Sequence, residues 1–331
     1  MNHLGDDPGT KYDAYLIHNE PGKKFKLPEN FEGAIGVTID DKLQGLVHSG
    51  LKVFNSISAE RAGINPIDPN FNIDLTNTMH AFTLLGRGNK TAKNESNLKV
   101  AEAIGSGITE ARISMGDNDW TSMVLFVPRD ARARTEIIAN SHTEIRPDKA
   151  GNSPSYGFVA GVVSIFSEKI ILSSRQNKEV IASEMADYLK GRGVKNKSGG
   201  PREAICSQLA TRILRASTML SQIPQEKMRE YTKLDKADLI EKFVDEMTLH
   251  DSPLAKEFWR SNIYQMPVEF DALPFELYVN LMNESQVARN PSEFKTFKAE
   301  KKDTAEHSAI AQKIIAPKDV DTSDFSSSSD S

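Results

Sequence analysis

The stretch Thr78–Ile104, TMHAFTLLGRGNKTAKNESNLKVAEAI, decides the fold: two apolar, alternating runs flank a polar centre that carries glycine. Alternation with a period of two predicts a strand on each side of a turn. In MHAFTLLGRG it sets His80, Phe82 and Leu84 on one face, and in LKVAEAI it sets Glu102 with Leu98, Val100 and Ile104. Pairing Leu85 with Asn97 at the hairpin end puts Glu102 directly opposite His80, both side chains on one face. A slip of one residue turns Glu102 to the other face. A carboxylate on an apolar face needs a partner. Beside an imidazole it fixes the tautomer and stabilises the protonated ring. The plainer alternative is a structural His–Glu pair.

Outward from this hairpin, ITEARIS and SMVLFVP continue an antiparallel sheet to Arg129, and Ala34–Ile39 adds a short strand. Residues 1–30, rich in proline, glycine and charge, read as a flexible lead-in to a single domain over 31–290. Lys42–Ala62 reads as a helix, with Leu43, Leu46, Val47, Leu51 and Phe54 at helical spacing and a stop at Gly63, Pro66 and Pro69. Residues 130–200 read as a mainly helical insertion, with a turn at Gly151–Gly157, an apolar run at Val159–Leu172 and KNKSGGP at its end. Pro201 then suits the first position of a helix whose apolar face is Ile205, Leu209, Ile213, Leu214 and Leu220. Further helices follow to residue 290, and 291–331, ending DVDTSDFSSSSDS, has too little to bury and is expected to be disordered. The fold class is α+β: a small antiparallel sheet packed on the cysteine helix, with additional helices inserted and C-terminal.

The chain has 331 residues, 38% of them hydrophobic, enough for a well-buried core. A net charge of −5 with no dense basic block argues against nucleic acid as a partner. Its one cysteine, Cys206, forms no internal disulfide, so a reducing, cytoplasmic-type environment suffices. The N-terminus lacks the charged and apolar regions of a Sec signal, and no run is long and apolar enough to span a bilayer.

Cys206 lies in PREAICSQLATRIL, near the start of the helix, where the positive helix end lowers a thiol pKa. The plainer alternative is a small core residue. A thiolate enzyme needs a base. His3, His18 and His307 fall in charged segments read as flexible, and His48, His142 and His250 in or beside polar helical stretches. His80 alone sits on an apolar strand face.

In this order of elements the chain resembles the circularly permuted papain-like enzymes of the NlpC/P60 superfamily, in the YiiX and lecithin-retinol-acyltransferase-like branch. MHAFTLLGRG resembles their histidine strand, VAEAIGSGI the strand with the third polar group, MVLFVPRD the next strand and ICSQLATRIL the nucleophile helix. LPFELYVNLM resembles the Pro-x-x-Leu element that often follows the cysteine. The resemblance implies a thiol hydrolase or acyltransferase acting on an amide, thioester or ester, with Cys206 as nucleophile, His80 as base and Glu102 as the acid that orients it. It implies neither cofactor nor metal, and a peptide, lipid or modified-protein substrate.

The chief alternative is a binding or scaffold protein that keeps the framework without turnover. A nucleotide site at Gly86-Arg87-Gly88 or Gly105-Ser106-Gly107 is weaker, since neither completes a phosphate loop and both read as hairpin turns. A metal hydrolase is weaker still, because no two histidines stand at ligand spacing. The polar tail, with AEKKDTAEHS before it, resembles the uncleaved C-terminal signals of bacterial effectors, which implies delivery into a host cell by a specialised secretion system and host proteins as partners.

Overall fold

A computed structural model describes residues 10–42, 46–88, 97–104, 107–146, 173–191, 204–264 and 273–289. Its centre is an antiparallel six-stranded sheet in the order β1-β8-β2-β5-β6-β7. The strands are β1 (Tyr12–His18), β2 (Ile35–Ile39), β5 (Thr78–Arg87), β6 (Asn97–Ile104), β7 (Gly107–Ser114) and β8 (Ser122–Pro128); β3 (Ile67–Asp68) and β4 (Ile73–Asp74) form a small separate ribbon. The helices are α1 (Leu46–Ala62), α2 (Ala131–Glu144), α3 (Ser174–Gly191), α4 (Cys206–Ser221), α5 (Gln225–Tyr231), α6 (Lys236–Thr248), α7 (Pro253–Arg260), α8 (Pro274–Asn283) and α9 (Gln286–Arg289). The α+β class is therefore present, with the sheet packed on the cysteine helix.

Alternation assigns the two sheet faces to two cores. Ala81, Ala103, Val124 and Phe126 pack beneath the helices, against Leu209, Ile213 and Leu277 among others. Phe82, Leu84, Leu98, Val100 and Leu125 point the other way, to a smaller core with Phe25, Phe31 and Trp120 from the connecting segments. Several helices carry their own start signals: Asp130 accepts from the N–H of Arg132, Asp235 from that of Asp238, and Ser252, followed by Pro253, from that of Ala255.

The expected lead-in needs correction. Residues 12–18 form an edge strand paired along its length with β8, and His18 ends that strand. Tyr12, Ala14 and Leu16 are buried because this strand completes the helix-side core. The outer edge of β1 is partly covered by a side chain. The Gln286 amide accepts from the N–H of Ala14 at 2.7 Å and donates to its carbonyl at 3.0 Å, imitating one residue of a further strand. The expected helix over 42–62 is present as α1. Of the expected 130–200 helical block, α2 and α3 are observed, whereas Gly151–Gly157, Val159–Leu172 and KNKSGGP lie outside the described residues. So do His3, His307, the tail 291–331 and, of Gly105-Ser106-Gly107, the first two residues.

One close approach ties β2 to the hairpin. Gly36 faces Phe82 across the β2–β5 ladder, and a Cβ on Gly36 would stand 2.2 Å from the Phe82 ring. Gly36→Ala is expected to lower stability by about 1–3 kcal/mol through this overpacking, read as a fall in the urea midpoint at constant m.

Candidate active site

His80 and Glu102 meet as expected, by a different register. The observed pairs are Thr83 with Ala101 and Leu84 with Val100, then, after a bulge, Gly86 with Lys99 and Arg87 with Leu98. Leu85 is the extra residue and Asn97 is not its partner, so the expected Leu85–Asn97 closure is corrected. Continued along the strands, this register sets Glu102 across from Phe82, two residues from the expected place. A shift of two preserves the face, and His80 and Glu102 become diagonal neighbours. Glu102 Oε2 lies 2.6 Å from His80 Nε2.

The start of α4 brings the third group. Among the described residues the β5–β6 ladder ends at Thr83 and Ala101, and α4 enters against both strands beyond that point. The backbone N–H of Ala81, on the side of β5 that the ladder has left, donates to the Cys206 sulfur, as does the N–H of Ser207. The helix begins later than expected: Cys206 itself is the first helical residue, Ile205 is the N-cap, and Pro201 lies outside the described residues. Isoleucine offers no oxygen to cap the helix, so the terminal amides are left to face the sulfur. The Gln208 side chain reaches back to the N–H of Ile205 at 3.3 Å.

Cys206, His80 and Glu102 thus form one contiguous chain. The imidazole hydrogen-bonds the cysteine as well as the carboxylate. Since Glu102 occupies Nε2, the nitrogen left for Cys206 is Nδ1. Burial alone pulls the His80 pKa down, but the Cys206 and Glu102 charges outweigh it and push it up to about 10. Burial alone pushes the Cys206 thiol up, but His80 and the two backbone N–H groups outweigh it and bring the thiol below its ordinary value. Each shift favours the charged form of its group. The sulfur is well covered, with Cys206 7% exposed, while the His80 side chain is 24% exposed and forms the more open side. Thr38, paired with His80 across β2, stands behind it, its hydroxyl 3.5 Å from the His80 carbonyl oxygen.

Sequence reading missed what anchors α4. Arg212 pairs with Glu144 of α2 at 3.1 Å, and Arg215 with Glu184 of α3 at 2.7 Å. Arg215 also donates from Nε to the other Glu184 oxygen at 3.3 Å, a two-pronged contact. Burial pushes the Glu184 carboxyl up, opposed by Arg215. These pairs join the cysteine helix to both neighbouring helices. Their signal in the sequence was two arginines three apart on a helix otherwise rich in apolar and small residues.

Glu102→Gln keeps a hydrogen-bonding amide beside His80 but removes the negative charge that helps hold the imidazolium. The expected result is a lower His80 pKa, followed by the imidazole ring protons in NMR titration. Among the described residues no three of His, Cys, Asp and Glu are grouped as a metal ion would require, and no helix is long and apolar enough to cross a membrane. Compared with family models, with curated proteins and with solved structures, the chain matches none.

Proposed function

We propose that this protein is a cysteine-dependent hydrolase or acyltransferase acting on an amide, thioester or ester through Cys206, His80 and Glu102. The observation that carries the reading is the run of contacts from Glu102 through His80 to Cys206 at the first turn of a helix, and the opposite pKa directions of thiol and imidazole support it. The Cys206 thiolate attacks the carbonyl carbon, forming a C–S bond while the carbonyl π pair moves to oxygen. Collapse of that adduct breaks the bond to the leaving group, which takes its proton from the His80 imidazolium. Neutral His80 then accepts a proton from water or an amine as it attacks the thioester carbonyl, and the thiolate departs. Glu102 keeps the ring oriented through both steps. The helix-terminal N–H of Cys206 is one candidate donor to the oxyanion.

The test uses an activated ester such as p-nitrophenyl acetate, with acid quenching and mass spectrometry. The reading expects a burst of p-nitrophenolate and an acetyl group on Cys206 released by hydroxylamine, both absent in Cys206→Ala. Acetylation confined to lysines, or an unlabelled Cys206 in folded protein, would sink it.

A further inference from the structure

The edge of the sheet at β7 offers an inference independent of the thiol chemistry. Strand β7 stands last in the sheet order, and among the described residues only β6 pairs with it. Which of its backbone groups face outward follows from its last residue. The Asn97 carbonyl accepts from the N–H of Gly88 at 3.0 Å, on the β5 side, so Asn97 turns its backbone away from β7, and its partner Ser114 turns its own outward. The bonds of Ser114 agree: its N–H donates to the Asp117 carboxylate at 2.6 Å, and its carbonyl accepts from the Asp117 N–H at 3.3 Å. Counted back in twos, Arg112, Glu110 and Ile108 also point N–H and C=O outward. Asp117 closes this edge at Ser114 and burial closes it at Ile108, so the open window runs from Glu110 to Arg112 with Ala111 at its centre. Among the described residues the one partner of the outward groups in that window is the Thr109 hydroxyl, 3.2 Å from the Glu110 carbonyl oxygen.

The side chains of the window are charged and incompletely matched. Glu110 and Arg112 are exposed, on one face of the strand. Arg112 stands directly across the ladder from Lys99, a like charge, which is unfavourable. Glu110 pairs with Lys99 at 3.1 Å, and this leaves Arg112 without a carboxylate among the described residues. Edge strands are commonly blunted by a proline or a bulge; β7 contains no proline, and its register with β6 is unbroken.

We infer that β7 pairs edge to edge with β7 of a second copy of this chain, antiparallel about a two-fold axis at Ala111. That register sets Glu110 of each copy opposite Arg112 of the other, so each facing pair exchanges both backbone bonds and closes an ion pair. Arg112 gains its carboxylate, and Glu110 lies between Lys99 of its own copy and Arg112 of the other. At the axis Ala111 faces itself in a non-hydrogen-bonded pair, where the Cα atoms come to about 4.5 Å and a small side chain fits. Glu-Ala-Arg is its own complement under this symmetry, whereas a peptide would have to bring the same order of charges. So short an edge makes the dimer weak and dependent on concentration.

The test follows the full chain by sedimentation velocity over a concentration series that reaches the millimolar range. Wild type is expected to shift toward dimer with concentration, and the amides of Glu110 and Arg112 to gain protection from hydrogen exchange as it does. Glu110→Arg and Arg112→Glu, each alone, set like charges face to face and should weaken association about tenfold. Mixed in equal amounts, the two variants meet with opposite charges at every facing position and should associate as well as wild type. Both positions are exposed, and a variant that melts early is replaced by Glu110→Lys or Arg112→Asp and read in the same way. A chain that stays monomeric throughout overturns the inference, including one that captures an added extended peptide instead. So do variants that associate as wild type does, and a mixture that stays as monomeric as its components.

Discussion

Arg215→Ala is expected to destabilise the protein by about 3–5 kcal/mol, because it leaves the Glu184 carboxylate nearly buried with its two-pronged partner gone. The pair itself contributes little once desolvation is counted, so the loss measures the abandoned carboxylate. The double replacement Arg215→Met with Glu184→Leu should therefore recover most of the loss. Urea unfolding of the three proteins gives the comparison. Equal stability of wild type and Arg215→Ala would show that Glu184 is hydrated and that α4 is not anchored there.

His80→Ala is expected to slow alkylation of Cys206 at about pH 6 roughly 30- to 100-fold, since the thiol returns toward its unperturbed pKa and only a small fraction ionises. A thiolate of low pKa is intrinsically a weaker nucleophile, so the fall is smaller than the change in ionised fraction. His80→Gln, which can keep a hydrogen bond to Glu102, guards against a variant that fails to fold. Stability should carry the same signature. Unfolded, the ring and thiol titrate at their ordinary values of 6.5 and 9.0; folded, the ring is raised to about 10 and the thiol lowered. The ring's contribution, with its folded pKa raised, is full below 6.5 and is lost as pH rises through about 10. The thiol's contribution, with its folded pKa lowered, is full above 9.0 and is lost as pH falls through the folded value, so where the two windows overlap it offsets the ring's loss. Above 9.0 the unfolded thiol is ionised, folding takes up a proton, and the contribution falls as pH rises through about 10. The stability difference between wild type and Cys206→Ala should fall as pH rises from 9.0 through about 10.

The site was legible where local periodicity carries it. The alternation of MHAFTLL and LKVAEAI is enough to set His80 and Glu102 on matching faces, and parity survives a two-residue error in register. The error itself came from Leu85: nothing in LLGRG announces which residue a bulge will leave unpaired, because that depends on both partner strands. The helix start at Cys206 was obscured by Pro201, a good first helical residue by sequence alone. Strand β1 was hidden for a longer-range reason. YDAYLIH alternates well enough, but it sits between segments rich in proline and glycine, and its edge partner is Gln286, 272 residues from Ala14. Nothing local marks Arg212 and Arg215 as paired, because their partners Glu144 and Glu184 arrive on separate helices.

The most direct measurement is the pH dependence of Cys206 alkylation by iodoacetamide in the native wild-type protein, under conditions where circular dichroism shows the fold intact. The thiolate–imidazolium account predicts a rate already on its plateau well below the ordinary thiol pKa of 9.0 and nearly level through neutral pH. A thiol that stays inert until denaturant unfolds the protein, or whose reactivity rises only near 9.0, would contradict it and make Cys206 a core residue.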